Sequence, residues 1–142
     1  MSAMEKPVLS SLLRINRCHR RAMKCALAPY RYVGVMHLIV LYVDRHPGSS
    51  QEEITGFYAL DKASVARDAR RLEDLGHIER NIIPENRRQY KLDLTDAGRD
   101  MIRVIDQAEE QFQKGLTANI SPEDWAQLET LLKRLEENAC LS

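Results

Sequence analysis

Several things are scarce or missing from this sequence of 142 residues, and each absence removes a class of protein. No run of about 18 apolar residues occurs, so no segment reads as a membrane span and no membrane partner is expected. The stretch from Met1 to Pro7 lacks the apolar centre of a secretion signal. Three cysteines, Cys18, Cys25 and Cys140, make neither a C-x-x-C pair nor a disulfide framework. A reducing cytoplasm is the setting these features imply. With only 6 Gly and 5 Pro, the chain is neither disordered nor fibrous in composition. There is no Gly-rich phosphate loop, nucleophile elbow or paired carboxylate motif. His19, His37, His46 and His77 are scattered without metal-ligand spacing. No enzymatic activity, metal or cofactor is therefore expected.

What is present is a chain 44% hydrophobic and 30% charged, which favours a helix-rich protein. Its length suits one domain with a modest core, and a dimer would add the burial that so short a chain lacks. The net charge is zero, but the charges are sorted along the sequence. Residues 1–46 carry 8 Lys/Arg against 2 Asp/Glu, and residues 92–142 carry 5 against 11. A basic front and an acidic back are hidden in a neutral total. Local field rather than net charge steers a polyanion.

Helical spacing runs from Pro7 to about Ala28 through Leu9, Leu12, Leu13, Met23 and Leu27, with a basic opposite side. Pro29 stops it. A second segment, about Tyr32 to Arg45, is apolar nearly all round and predicts a central buried helix. Ser50-Gln51-Glu52-Glu53 forms a capping box that opens a short helix to about Tyr58. Asp61 caps a further helix, Lys62 to Leu75, which keeps Val65, Ala69, Leu72 and Leu75 inside and ends at Gly76. The period then changes to two. His77–Ile83 and Gln89–Leu94 alternate as strands around a polar Pro84–Arg88 turn, giving a hairpin with a basic tip. Thr95 caps a helix to about Leu116. Ser121 with Pro122 opens a last helix whose stripe is Trp125, Leu128, Leu131, Leu132 and Leu135. Trp125 and the methionines read as core.

The fold class is thus mainly α with a small β-hairpin wing. Residues 30–94 read as a winged helix-turn-helix, and residues 1–29 and 95–142 as a helical dimerisation region. Leu9, Leu12, Leu128, Leu132 and Leu135 are the expected interface residues.

A helix that enters a major groove must be slim and offer hydrogen-bonding side chains on one face. The segment Asp61–Leu75 offers Lys62, Ser64, Arg67 and Arg71 outward, while small Ala63 and Ala66 permit close approach. Arg67 has the paired donors that suit guanine, and the first turn with Lys62 and Ser64 suits phosphate. Ser50 and Gln51, at the start of the preceding helix, join the DNA-contacting set. Arg87 and Arg88 on the hairpin turn are placed to reach a narrow minor groove. The plainer alternatives are a solvated helix face and a charged loop guarding an edge strand. Either feature alone is weak; their order and spacing together make the signal.

Asp61-Lys-Ala-Ser-Val-Ala-Arg67, then Arg71-Leu-Glu-Asp-Leu-Gly76 and Ile78-Glu-Arg80, resemble the recognition helix and first wing strand of MarR-family regulators. Asn86-Arg-Arg88 followed by Leu94-Thr95-Asp-Ala-Gly98 is similar to the family's wing. Asn86 stands where the family commonly has Asp, so an amide replaces a charged partner for Arg88. The resemblance implies a homodimer of triangular outline. Each copy would set one recognition helix on a pseudo-palindromic double-stranded DNA site, and small molecules or oxidants would release the DNA. It also places an effector pocket near Arg17, Tyr30, Met36 and His37, although His37 in an apolar helix reads first as a satisfied core histidine.

Two alternatives stay open. Cys18 lies among Arg17, His19, Arg20 and Arg21, which would favour a redox-sensing thiolate; buried or idle thiols are the default. A winged fold can also serve as a protein-interaction adaptor without DNA. Arg67, Arg71, Arg87 and Arg88 argue against that, since an adaptor does not need cations on both elements.

Overall fold

Most helix starts are set by a side-chain oxygen placed where the first turn has free N–H groups. Ser50 Oγ accepts the Glu53 N–H at 3.2 Å and Asp61 Oδ2 accepts the Ser64 N–H at 3.1 Å. Thr95 Oγ1 and Ser121 Oγ each accept an N–H at 3.1 Å, from Gly98 and Asp124. In the computed structural model, which describes residues 6–141, these caps delimit the elements. The order is α1 (Pro7–Leu27), a single 3-10 turn (Ala28–Tyr30), α2 (Met36–Arg45), α3 (Gln51–Tyr58), α4 (Lys62–Asp74), β1 (Ile78–Ile83), β2 (Asn86–Leu94), α5 (Asp96–Leu116) and α6 (Pro122–Leu141).

Contacts divide the chain into two compact units, one ending at Glu109 and the other starting at Glu110. The first holds the core. Met23, Leu27, Tyr32, Met36, Ile39, Val40 and Val43 meet Ile54, Val65, Leu72, Ile78, Leu92, Met101 and Ile105 there, all buried. Helix α2 is its centre, as the all-round apolar pattern requires. Gly98 lets the start of α5 approach closely: a Cβ there would stand 2.1 Å from the His77 carbonyl oxygen. The second unit contains the end of α5 and α6, whose Leu128, Leu131 and Leu135 are exposed and whose Leu132 and Trp125 are half-buried. Trp125 is thus less enclosed than a core residue. Met1 and Met4 lie outside the described residues.

Strands β1 and β2 pair antiparallel, with Ile78 opposite Leu94, Arg80 opposite Leu92 and Ile82 opposite Tyr90. Leu92 also bridges to Ser49, its N–H reaching the Ser49 carbonyl at 2.8 Å, so the segment before α3 is stitched to the hairpin.

Two boundaries differ from the sequence reading. Helix α2 begins at Met36, not near Tyr32, because Arg31 (φ 65°) and Gly34 (φ 55°) are both left-handed and no helix passes through them. Tyr32 instead turns inward, with its hydroxyl 2.7 Å from His77 Nδ1. The second strand begins at Asn86, earlier than Gln89. A register shift between Ile82 and Ile83 pairs Ile83 with Asn86 and leaves Pro84 and Glu85 as the tip. Arg87 and Arg88 therefore lie within β2, between the paired Asn86 and Tyr90, and not on the turn.

Candidate nucleic-acid interface

Helix α4 presents two faces because its residues alternate with helical period between small or aliphatic and charged. Val65, Ala69 and Leu72 are fully buried, whereas Lys62, Arg67 and Arg71 are exposed. The side chains of Arg67 and Arg71 keep 58% and 47% of their surface free, enough to meet a ligand without rearrangement. Ser64 is half-buried and its hydroxyl already donates to Asp61 Oδ2 at 3.0 Å. Ser50, also expected among the DNA contacts, is buried, with its oxygen taken up as the α3 cap. Gln51 is half-buried beside it.

One residue of α4 escaped the sequence reading. Asp68 is fully buried, yet acidic. Its Oδ2 accepts the Val35 N–H at 2.8 Å, while Oδ1 accepts from Arg71 Nη1 at 2.9 Å and lies 3.6 Å from Arg67 Nε. Val35 is the N-cap residue of α2 and has no side-chain cap of its own, so the Asp68 carboxylate meets a helix N-terminus on one side and a guanidinium on the other. The signal was there to be read: an acid on the stripe of Val65, Ala69 and Leu72, three residues before an arginine.

The hairpin is fastened to α4 by Arg80, which donates to Glu73 Oε1 at 3.0 Å and lies 5.0 Å from the centre of the Tyr90 ring. That hydrogen bond holds the Glu73 carboxyl below its ordinary pKa. Arg87 and Arg88 are exposed, side by side on β2. Asn86 does not reach a guanidinium; its Oδ1 accepts the Arg88 backbone N–H at 3.2 Å, fixing the turn rather than the arginine head. The structure thus gathers Lys62, Ser64, Arg67 and Arg71 on one helix and sets Arg87 and Arg88 on a separate element.

A cavity of about 440 Å³ opens in the first unit. Arg20, Arg21, Met23, Lys24 and Leu27 of α1 line it, with Tyr32, Val33 and Gly34 of the connection and His37 of α2. Of the four expected pocket residues, only His37 lines it. Met36 is enclosed in the core, its sulfur accepting the Val33 N–H at 3.3 Å, and Arg17 and Tyr30 are exposed elsewhere. His37 is buried but not satisfied: Nε2 has no hydrogen-bond partner among the described residues. Burial pushes its pKa down to about 4, with Glu109 opposing and His19 reinforcing the shift. His19 Nε2 lies 2.9 Å from Glu109 Oε2, joining α1 to α5. The cavity is lined by neighbouring segments, α1, the connection and α2, and takes shape only once the turn between them is folded.

Cys18, Cys25 and Cys140 are free and exposed, so of the expected buried or idle thiols the buried alternative does not hold. Among the described residues no helix is long and apolar enough to cross a membrane, and no cluster of side chains suits a metal ion.

Known proteins share this architecture. Residues 36–90 match the sequence model of the MarR family. A crystal structure of a MarR protein is 32% identical and superposes with a TM-score of 0.83, over 96% of this chain and all of that one. The chain belongs to the MarR family. An uncharacterized HTH-type transcriptional regulator of Bacillus subtilis, YdgJ, is 34% identical over 89 residues, which is 63% of this MarR-family chain. That match spans about half of the regulator's own length, 54%. A putative MarR-family regulator from Listeria monocytogenes, solved with a 26mer DNA, has the same fold. Its TM-score is 0.87 at 18% identity, over 94% of this chain and 89% of that one. The family is one of transcriptional regulators with a DNA-binding winged helix, and the stretch that matches its model runs from α2 into β2.

Proposed function

We propose that this MarR-family chain is a sequence-specific regulator that binds a pseudo-palindromic double-stranded DNA site as a homodimer in the cytoplasm. Residues 30–94 form its DNA-binding domain, and residues 1–29 and 95–142 its dimerisation region. It is a repressor released when a small molecule occupies the cavity lined by His37. Its relatives are transcriptional regulators, and no catalytic residue is assigned.

The observation that carries the reading is the exposure of Arg67 and Arg71 on a capped helix, together with Arg87 and Arg88 on the hairpin. A major groove admits such a helix, and a guanidinium can pair with guanine through two bonds. Lys62 and the first turn of α4 suit a phosphate, and the two hairpin arginines suit the backbone or minor groove. The relative solved with DNA supports the same use of the fold. An adaptor that binds no DNA has no need for cations on both elements.

The dimer rests on apolar surface left uncovered in a single chain. Leu9 and Leu12 of α1, and Leu128 and Leu135 of α6, are all exposed. Patches of this kind mark association surfaces. The effector reading rests on the cavity, where Arg20, Arg21 and Lys24 surround apolar Met23 and Leu27 and an unpartnered His37 Nε2. Such a site suits a ligand with an apolar body and an acidic or hydrogen-bonding group.

The test is selection from a pool of random duplexes at moderate salt, followed by sequencing of the bound fraction. The expected result is an enriched inverted repeat with half-sites about one helical turn apart. No enrichment, with or without reductant, would put the adaptor reading in its place.

A further inference from the structure

Arg67 and Arg71 are long, flexible side chains, and a flexible reader discriminates poorly because it must be ordered each time it binds. Both are drawn to one fixed point. Asp68 sits between them in sequence and is wholly buried. Its position is fixed from three sides. The Val35 N–H holds Oδ2 at 2.8 Å, and the N-terminus of α2 adds a favourable partial charge. Gly34 leaves it room: a Cβ at that residue would stand 2.3 Å from Oδ2. The other oxygen is spent on the guanidinium groups, 2.9 Å from Arg71 Nη1 and 3.6 Å from Arg67 Nε.

We propose that Asp68 is the positioning residue of the DNA-reading surface, a buried carboxylate that holds Arg71 and Arg67 in their reading geometry without touching DNA itself. The inference rests on α4 being the reader, as argued above, and adds what makes its arginines selective. An arginine held by one nitrogen keeps its remaining N–H groups in a fixed direction, as two-bond pairing with a base requires. The charge has a second effect. An acid beside the reader lowers the attraction of α4 for phosphate of any sequence, so Asp68 trades general affinity for discrimination.

The substitution that separates these roles from folding is Asp68→Asn. Its side-chain oxygen still accepts the Val35 N–H, but its NH2 faces guanidinium donors and releases them. With the duplex enriched by selection and a scrambled duplex of equal length, the protein that folds normally by circular dichroism is expected to lose roughly tenfold of its specific-to-nonspecific ratio. Binding to the scrambled duplex should be unchanged or tighter. A merely structural role would lower the melting temperature and leave that ratio alone, which would overturn the proposal. Arg67→Ala and Arg71→Ala run alongside. If they reduce the ratio and Asp68→Asn does not, the positioning role is wrong and the reader helix stands. If neither arginine matters, the reader assignment itself falls, and this proposal with it. Should Asp68→Asn not fold, arginine side-chain NMR on the unaltered protein decides. An Arg71 guanidinium with slowed proton exchange is expected; exchange as fast as free arginine overturns the proposal.

Discussion

Helices α2 and α6 each hold five Leu, Ile or Val residues, in ten positions and in twenty, and the fold treats them in opposite ways. In α2, Met36, Ile39 and Val40 have no exposed surface at all; in α6, Leu128, Leu131 and Leu135 keep 40–47% of theirs. The difference is one of neighbours. α2 is enclosed by elements of its own unit, which close a core around it. The leucine stripe of α6 stays exposed, and α1 shows the same condition along Val8, Leu9 and Leu13. One helix completes a fold, and the other two leave exposed the apolar surface proposed above for a second copy. Apolar area left in water is stabilisation still available to an association step.

That contrast can be broken at either end. Leu72→Ala, in the core of the first unit, is expected to remove about 2–5 kcal/mol of unfolding free energy in a urea titration. A loss near zero would mean that the core is not the source of stability described here. Leu132→Glu in α6 should instead leave the helical spectrum near that of the unaltered chain while the protein sediments as a monomer or aggregates. An undisturbed dimer would remove α6 from the interface.

His37 sharpens the comparison, because it is a titratable group buried in the enclosed helix. Its folded pKa of about 4 lies below the ordinary 6.5, so between these values the unfolded chain takes up a proton that the folded chain refuses. Stability should therefore be full above pH 6.5 and fall towards pH 4, by on the order of 3 kcal/mol for this group. His37→Gln is expected to flatten that part of the pH profile of the melting temperature. A profile of unchanged steepness would assign the acid sensitivity elsewhere.

Smaller effects belong to the exposed cations. Arg67→Ala should cost about 1–3 kcal/mol in specific binding and relax base preference at one position of each half-site. Loss of affinity without relaxed preference would demote it to a phosphate contact. Arg88→Ala should weaken all sequences alike and reduce the slope of log affinity against log salt by about 1. An unaltered slope would take the hairpin off the DNA.

Much of this was legible in the residues because the signals were local. Ser50, Asp61, Thr95 and Ser121 each carry their helix start within four residues, and period two over Ile78–Ile83 needs no distant partner. The errors came where the cause lay elsewhere in the chain. Tyr32 and Val33 continue the apolar pattern of α2, but Gly34 in a left-handed conformation after them keeps them out of the helix. A register shift in β1 moves Arg87 and Arg88 from the turn onto the strand. Asp68 and the cavity are tertiary facts: the first needs the N-terminus of α2, and the second needs α1, the connection and α2 together.

The most direct test of a dimeric reader is the affinity for the enriched inverted repeat against the same duplex with about half a helical turn inserted between its half-sites. Two reader helices fixed in one dimer cannot reach both half-sites once these face opposite sides of the duplex. Affinity is expected to fall to that of a single half-site. Equal affinity for both duplexes would mean that each copy reads alone, and would contradict the account.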